Sequence, residues 1–335
     1  MIELTPFIRQ LRRRMAALTP GPNRFAIRTG TVPVHFRVHF VPGATGMLVS
    51  FHGATCRARR EAPIFNAFNP DLTALHQVSV SDPSMQLPGD FRIAWFAGHE
   101  GFDTPALFAR VFRDMARTLG VERTLFFGTS GGGFAALVQS HAMPGSVAVV
   151  VNPQTSILRY HPTLVEPYRQ ACWPALAGNE DLAGAIEADC TRLYGEGFRN
   201  TVIYIQSLGD RHHYRAHMLP FAAAISARAQ ADRVLFHTRY NGVHGHSQSR
   251  EDYADWLRAA ALSPSTAPLD LLDTWHGLNA PARTRNAQAQ SPQPHPAPAS
   301  FPRSDDTRPA DIQTSARLET WLERQSAPTP ARKAA

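Results

Sequence analysis

Arg123–Val138 reads RTLFFGTSGGGFAALV, and the reading of this stretch decides the fold. Thr124 to Phe127 reads as a short apolar strand. A turn with almost no side chains follows, and an apolar helix begins near Phe134. At the turn, Gly128-Thr129-Ser130-Gly131-Gly132 matches G-x-S-x-G. The need for that pattern is steric. A serine at a tight strand-to-helix turn is held in a strained backbone conformation, so the residues two before and two after it must be tiny. Its hydroxyl then projects above the sheet, beside N–H groups that open a helix and suit a developing negative charge. Gly131-Gly132-Gly133 is richer in glycine than the pattern requires.

Upstream, strands are expected at roughly Phe25 to Arg28, Val32 to Phe40, Met47 to Phe51, Val78 to Asp82 and Arg92 to Phe96. Val34 to Phe40, VHFRVHF, alternates bulky and polar residues as a half-exposed edge strand does. The buried-type strand Met47–Phe51 runs into His52-Gly53-Ala54-Thr55, where glycine lets backbone approach a ligand and the next N–H groups can face an oxyanion. Ala106 to Leu119 has helical spacing. Downstream, Val147–Val151 ends in Asn152-Pro153-Gln154, and Leu158 to Arg199 is an irregular helical insertion placed to cap the site. Thr201–Gln206 runs into Ser207-Leu208-Gly209-Asp210. A helix over Met218 to Gln230 and a strand over Arg233 to Thr238 come next. Val243-His244-Gly245-His246 forms a glycine-punctuated loop, and Glu251 to Ala261 a final helix.

Strands alternating with helices predict an α/β fold with a mainly parallel sheet covered on both faces. Chemistry then gathers at the carboxyl ends of the strands. Those ends carry, in order, the His52-Gly53-Ala54 loop, Ser130, Asp210 and His244/His246. A serine needs a histidine as general base, and the histidine needs a carboxylate to fix its tautomer. The order Ser, Asp, His suits such an enzyme. Other glycine-loop chemistries fit poorly. Phe134 stands where a phosphate-binding loop needs lysine, and the glycine spacing is wrong for a dinucleotide loop.

On these residues the chain resembles the α/β-hydrolase fold superfamily over about Phe25 to Leu262. The resemblance implies a mostly parallel eight-stranded sheet and acyl transfer to water or another acceptor. It makes Ser130 the nucleophile, Asp210 the orienting acid and His246 the base, with the Gly131 and Ala54 N–H groups as the oxyanion hole. His244 is the alternate base; His246 is preferred because it stands nearer the following helix. His52, Gly53 and Asp82 are expected to line the substrate site. His212 and His213 beside Asp210 raise a metal reading, but adjacent side chains of an extended segment point apart, so no metal is expected. No cofactor is implied.

The rest of the chain sets the boundaries. Its 335 residues, 43% hydrophobic, allow one large α/β domain plus extras. Residues 2 to 18 suggest a short amphipathic helix with Phe7, Leu11 and Met15 on one face, ended by Pro20-Gly21-Pro22. The organisation expected is an N-terminal helix in 1–22, the α/β domain in 23–262 with its insertion at 158–199, and a disordered Pro/Ala-rich tail in 263–335. Within the tail, Asp311 to Gln325 could form a short helix for a protein partner. Net charge is +7, but the basic groups are scattered and Lys333 is the only lysine, so a nucleic-acid partner is not expected. Cys56, Cys172 and Cys190 show neither a disulfide framework nor metal spacing, which argues for a reducing compartment. With no signal-like apolar segment and no run of about 18 apolar residues, the expected location is cytoplasmic. The leading functional expectation is a serine hydrolase acting on a small-molecule or glycan acyl group. Acyl transfer to a sugar or other hydroxyl, and a non-catalytic module acting through its tail, are the alternatives.

Overall fold

The computed structural model describes residues 4–280, except residues 31, 56–60, 241 and 247–248 and the side chains of residues 29 and 252. Cys56 and the segment 311–325 therefore lie outside the described residues, as does the whole of the second unit, residues 283–335.

Long apolar runs make the strands of an eight-stranded sheet. They are β1 (Gly21–Thr29), β2 (Val32–Phe40), β3 (Gly46–Phe51), β4 (Leu75–Val80), β5 (Arg123–Thr129), β6 (Val147–Val151), β7 (Thr201–Ser207) and β8 (Val234–Arg239). Their spatial order is β1-β2-β4-β3-β5-β6-β7-β8. The pairs β1/β2 and β2/β4 are antiparallel, and the remaining pairs are parallel. Strands β3, β4, β6 and β7 are buried along their whole length, as a parallel sheet covered on both faces demands.

Alternate residues of these strands face two separate cores. Met47, Val49, Phe51 and Phe126 face one, together with α1 (Leu4–Ala16), α2 (Thr104–Leu119), α3 (Gly131–His141) and the insertion. Leu48, Leu125 and Phe127 face the other, with α8 (Ala254–Leu262). Helix α1 buries Phe7, Ile8, Leu11 and Met15, and its Arg12 reaches Asp114 of α2 at 2.5 Å. No helix among the described residues is long and apolar enough to cross a membrane.

Three local expectations differ from the structure. First, β2 is not the edge: it lies between β1 and β4, and it alternates because one face of this antiparallel end is less covered. Second, Arg92–Phe96 is no strand. Trp95 and Phe96 both adopt positive φ, 52° and 55°, which breaks any extended run. Third, composition ends the ordered domain at Leu262, whereas Pro268–Asn279 forms α9. Its Leu271 is fully buried, and Trp275 stacks on Trp256 of α8 at 4.9 Å.

The insertion holds α4 (Pro162–Cys172), α5 (Leu182–Ala185) and α6 (Cys190–Gly195). After β7 the chain turns into a π-helical stretch, His213–Met218, that runs into α7 (Leu219–Ser226).

Candidate active site

Parallel β3, β5, β6, β7 and β8 bring their carboxyl ends to one edge of the sheet. Ser130 sits there between β5 and α3 with φ 54° and ψ −123°, a strained conformation for a residue with a Cβ. The surrounding glycines are each required by a different neighbour. A Cβ on Gly128 would lie 2.0 Å from Gly132 O, and one on Gly132 would lie 2.3 Å from Phe51 O. At Gly133 it would meet Pro153 Cβ at 2.6 Å, and at Gly131 Ile93 Cδ1 at 2.1 Å. The glycine excess is thus close packing of α3 against β3 and the β6 turn.

The loop after β3 lies against this elbow: a Cβ on Gly53 would be 3.2 Å from Thr129 O and 3.7 Å from Ser130 Cβ. Among the described residues, neither the Gly131 nor the Ala54 N–H has a hydrogen-bond acceptor. His52 is turned inward. Its Nδ1–H donates to Gly53 O at 2.9 Å, and its Nε2 accepts the Asp82 N–H at 3.2 Å.

The serine hydroxyl is held by a residue that the motif does not contain. Gln154, fully buried beyond β6, donates from Nε2 to Ser130 Oγ at 3.0 Å. Its Oε1 accepts the Trp95 indole N–H. An indole N–H can only donate, so it fixes which end of the amide faces the serine. Ser130 Oγ is therefore an acceptor from Gln154, and its own proton is available elsewhere.

Asp82 stands behind this contact. Its carboxylate accepts the Phe96 N–H at 2.6 Å and the Ser84 N–H at 3.0 Å, which braces the left-handed Trp95-Phe96 turn. Asp82 is fully buried, and burial pushes its pKa up to about 6 against the pull of those N–H groups. The structure thus does not bring Asp82 to the serine directly; it reaches it through Trp95 and Gln154.

Asp210 and His246 are brought together. Gly245 N–H donates to Gly209 O at 2.9 Å, and a Cβ on Gly209 would strike Val243 O at 1.9 Å, so the two loops lie in contact. His246 Nδ1 donates to Asp210 Oδ2 at 2.6 Å. His244 instead faces solvent, with Nε2 3.2 Å from the Tyr240 hydroxyl. Among the described residues no hydrogen bond joins His246 to Ser130.

Asp210 has a second neighbour, His213, which an extended reading of this segment points away. The segment after Asp210 is helical, not extended, so His213 turns back to its acid. Its backbone N–H donates to Asp210 Oδ1 at 3.1 Å, and its Nδ1 lies 2.8 Å from Oδ2 without hydrogen-bond alignment. Its ring stacks on His246 with centroids 4.4 Å apart. Burial pushes Asp210 up, but the hydrogen bonds and charge of His213 and His246 outweigh it and hold the carboxyl well below the usual carboxylate range. Burial lowers the pKa of His213 despite Asp210. It pushes His217 down to about 2, helped by His213 and His212. The insertion covers this group, with Tyr160 against His213 and His217 and His161 stacked on His212 at 4.3 Å.

No family model and no curated protein matches the sequence. Solved structures do match. The capsule O-acetyltransferase of Neisseria meningitidis serogroup A, as a point mutant in complex with CoA, is similar with a TM-score of 0.53 at 12% identity over 71% of this chain and 94% of that one. Porphyromonas gingivalis dipeptidyl peptidase 4 is similar with a TM-score of 0.50 at 12% identity, over 74% of this chain and 36% of that one. A 2,6-dihydroxy-pseudo-oxynicotine hydrolase has a TM-score of 0.50 at 14% identity, over 78% and 74%. The chain has the α/β-hydrolase fold.

Proposed function

We propose that the chain is a serine-dependent acyl hydrolase with Ser130 as nucleophile, His246 as general base and Asp210 as the acid that orients it. The observation that carries this reading is the left-handed Ser130 elbow at the sheet edge where Asp210 and His246 are paired. With Nδ1–H committed to Asp210, His246 keeps Nε2 as its free acceptor. Ser130 Oγ attacks the acyl carbonyl as its proton passes to that nitrogen. The Gly131 and Ala54 N–H groups are available to the carbonyl oxygen as it becomes an anion. The leaving group takes the proton from His246, and water then releases the acyl group from Ser130. The transfer requires His246 to close on Ser130, a contact that catalytic groups often tighten only with substrate bound.

Labelling by a fluorophosphonate probe tests the reading. Wild type should label, Ser130→Ala should not, and His246→Gln should label roughly 10³-fold more slowly while His244→Ala is unchanged. Labelling that survives in Ser130→Ala would overturn it, and a folded wild type that never labels would favour a non-catalytic module.

Transfer to a hydroxyl acceptor is the second reading. It is favoured by the match to an O-acetyltransferase over 94% of that enzyme's length. Partition of the acyl group between water and added sugar alcohols would separate the two. Product ester rising with acceptor at constant acyl-enzyme formation would favour transfer.

A further inference from the structure

Asp210 Oδ2, His213 Nδ1 and His246 Nδ1 form a compact donor set: both nitrogens approach one oxygen, at 2.8 Å and 2.6 Å, and ligand atoms of all three residues lie within 4.8 Å of one another. His213 is 2% exposed, yet neither of its ring nitrogens has an aligned hydrogen bond. A buried imidazole whose Nε2 has no partner and whose Nδ1 meets Asp210 Oδ2 only out of alignment is costly, and nothing in the serine chemistry above requires it. His246, its side chain 37% exposed, leaves the open side of the set toward solvent.

From this arrangement we infer that Asp210, His213 and His246 bind one divalent transition-metal ion of the zinc type, and that the ion switches the serine off. Two imidazoles and one carboxylate with a side open to water is the donor set such ions take, unlike the all-oxygen sets of magnesium and calcium. Ligands around tetrahedral zinc stand roughly 3.3 Å apart, given metal–ligand bonds of about 2.0–2.1 Å, so each imidazole nitrogen needs to draw back from Asp210 Oδ2 by only about 0.5–0.7 Å. The exposed loop carrying His246 can supply that movement. The carboxylate is already oriented by the His213 N–H on Oδ1. Binding moves the His246 proton from Nδ1 to Nε2 by exchange with solvent and replaces the Asp210–His246 hydrogen bond with two metal bonds. His246 can then neither swing to Ser130 nor take up its proton. The switching half of the inference rests on His246 being the base; the site itself does not.

The test uses tag-free full-length protein, freed of metal by chelator, and Zn²⁺ as the probe. Calorimetric titration should give one site in wild type and in Ser130→Ala alike. His246→Gln, which changes only an exposed loop residue, and His213→Gln should each weaken that site by at least about 10–100-fold. Co²⁺ should give a ligand-field absorption band that both substitutions abolish. In wild type, Zn²⁺ should block fluorophosphonate labelling, and chelator should restore it. Absence of a site, or undiminished binding in folded His246→Gln and His213→Gln, overturns the site. Stoichiometric binding that leaves labelling unchanged overturns the switch. A wild type that never labels refutes the hydrolase reading instead, while Zn²⁺ binding to Ser130→Ala still decides the site.

Discussion

Gln154→Leu removes a side chain that hydrogen-bonds both Ser130 and Trp95. Leucine is close in volume, so the backbone after β6 has no steric reason to move. The lost contacts are those to Ser130 Oγ at 3.0 Å and to the indole N–H of Trp95, which is 1% exposed. Leaving a buried donor unsatisfied costs about 1–3 kcal/mol, and the second hydrogen bond adds about 1 kcal/mol, so unfolding stability should fall by about 2–4 kcal/mol. For activity, loss of the donor that orients the serine lone pair should slow fluorophosphonate labelling by roughly 10–100-fold, equivalent to about 1.4–2.7 kcal/mol. Gln154→Glu separates the two contacts. A glutamate still accepts from Trp95, but it has no N–H for Ser130, and as a carboxylate it would draw the serine proton toward itself. Its labelling should therefore fall at least as far as that of the leucine variant although the indole keeps its partner. Urea unfolding and labelling rates measured on the same preparations check both parts. A folded Gln154→Leu that labels at the wild-type rate would refute the positioning argument, whatever its stability.

Asp82 ionises in the folded state at about 6 against an ordinary value of 3.8, so its contribution is lost as pH rises from the lower value through the higher. Wild type should lose about 3 kcal/mol relative to Asp82→Asn between pH about 4 and 7 in urea unfolding; parallel stability curves would contradict this. Gly132→Ala drives a Cβ to 2.3 Å and 2.9 Å from two backbone oxygens, whereas Gly131→Ala meets only side chains, the far end of Ile93 at 2.1 Å and Trp95 Cδ1 at 3.3 Å. The first should destabilise by more than about 3 kcal/mol and abolish labelling, and the second by about 1–3 kcal/mol with labelling retained; equal effects would deny the contrast. Truncation after Leu262 removes buried Leu271 and the Trp275 that stacks on Trp256, and should destabilise by about 2–5 kcal/mol in thermal or urea unfolding.

The parts of this site legible in the sequence are those written within a few residues. The β5–Ser130–α3 elbow is local, because the apolar run, the small residues and the helix are adjacent. Asp210 follows a β-branched strand, and His246 lies in a glycine-punctuated loop, so strand-end counting finds both. His213 escapes because the direction of its side chain depends on whether the chain after Asp210 is extended or helical, and that is set by packing under Tyr160 and the insertion. Gln154 is in view as the end of Asn152-Pro153-Gln154, yet a glutamine at a strand end has no signature. Its function arises from Ser130, 24 residues away, and Trp95, 59 residues away. Trp95 in turn sits in a segment whose apolar composition reads as strand, and the turn that aims the indole is held by the Ala97 N–H on Ala94 O and by the Asp82 carboxylate on Phe96 N–H.

Asp82, expected to line the substrate site, illustrates why a carboxylate at a strand end is not by itself a partner for histidine. Asp82 and Asp210 both follow strands of the same sheet, and each bonds a backbone N–H. What separates them is the remaining acceptor capacity. Asp82 gives one oxygen to Ser84 N–H and the other to Phe96 N–H, in full burial, so its charge is opposed by its surroundings. Asp210 gives Oδ1 to a backbone N–H and keeps Oδ2 for imidazole, so its charge is favoured. A carboxylate that stays ionised only through backbone donors can brace a turn, but it cannot stabilise a histidine as the ring gains a proton. One that keeps an oxygen on an imidazole can do so, and it can equally offer that oxygen, with both rings, to a metal ion. The same oxygen, Asp210 Oδ2, therefore underlies both the proposed catalysis and its proposed inhibition, and any substitution at Asp210 should abolish the two together.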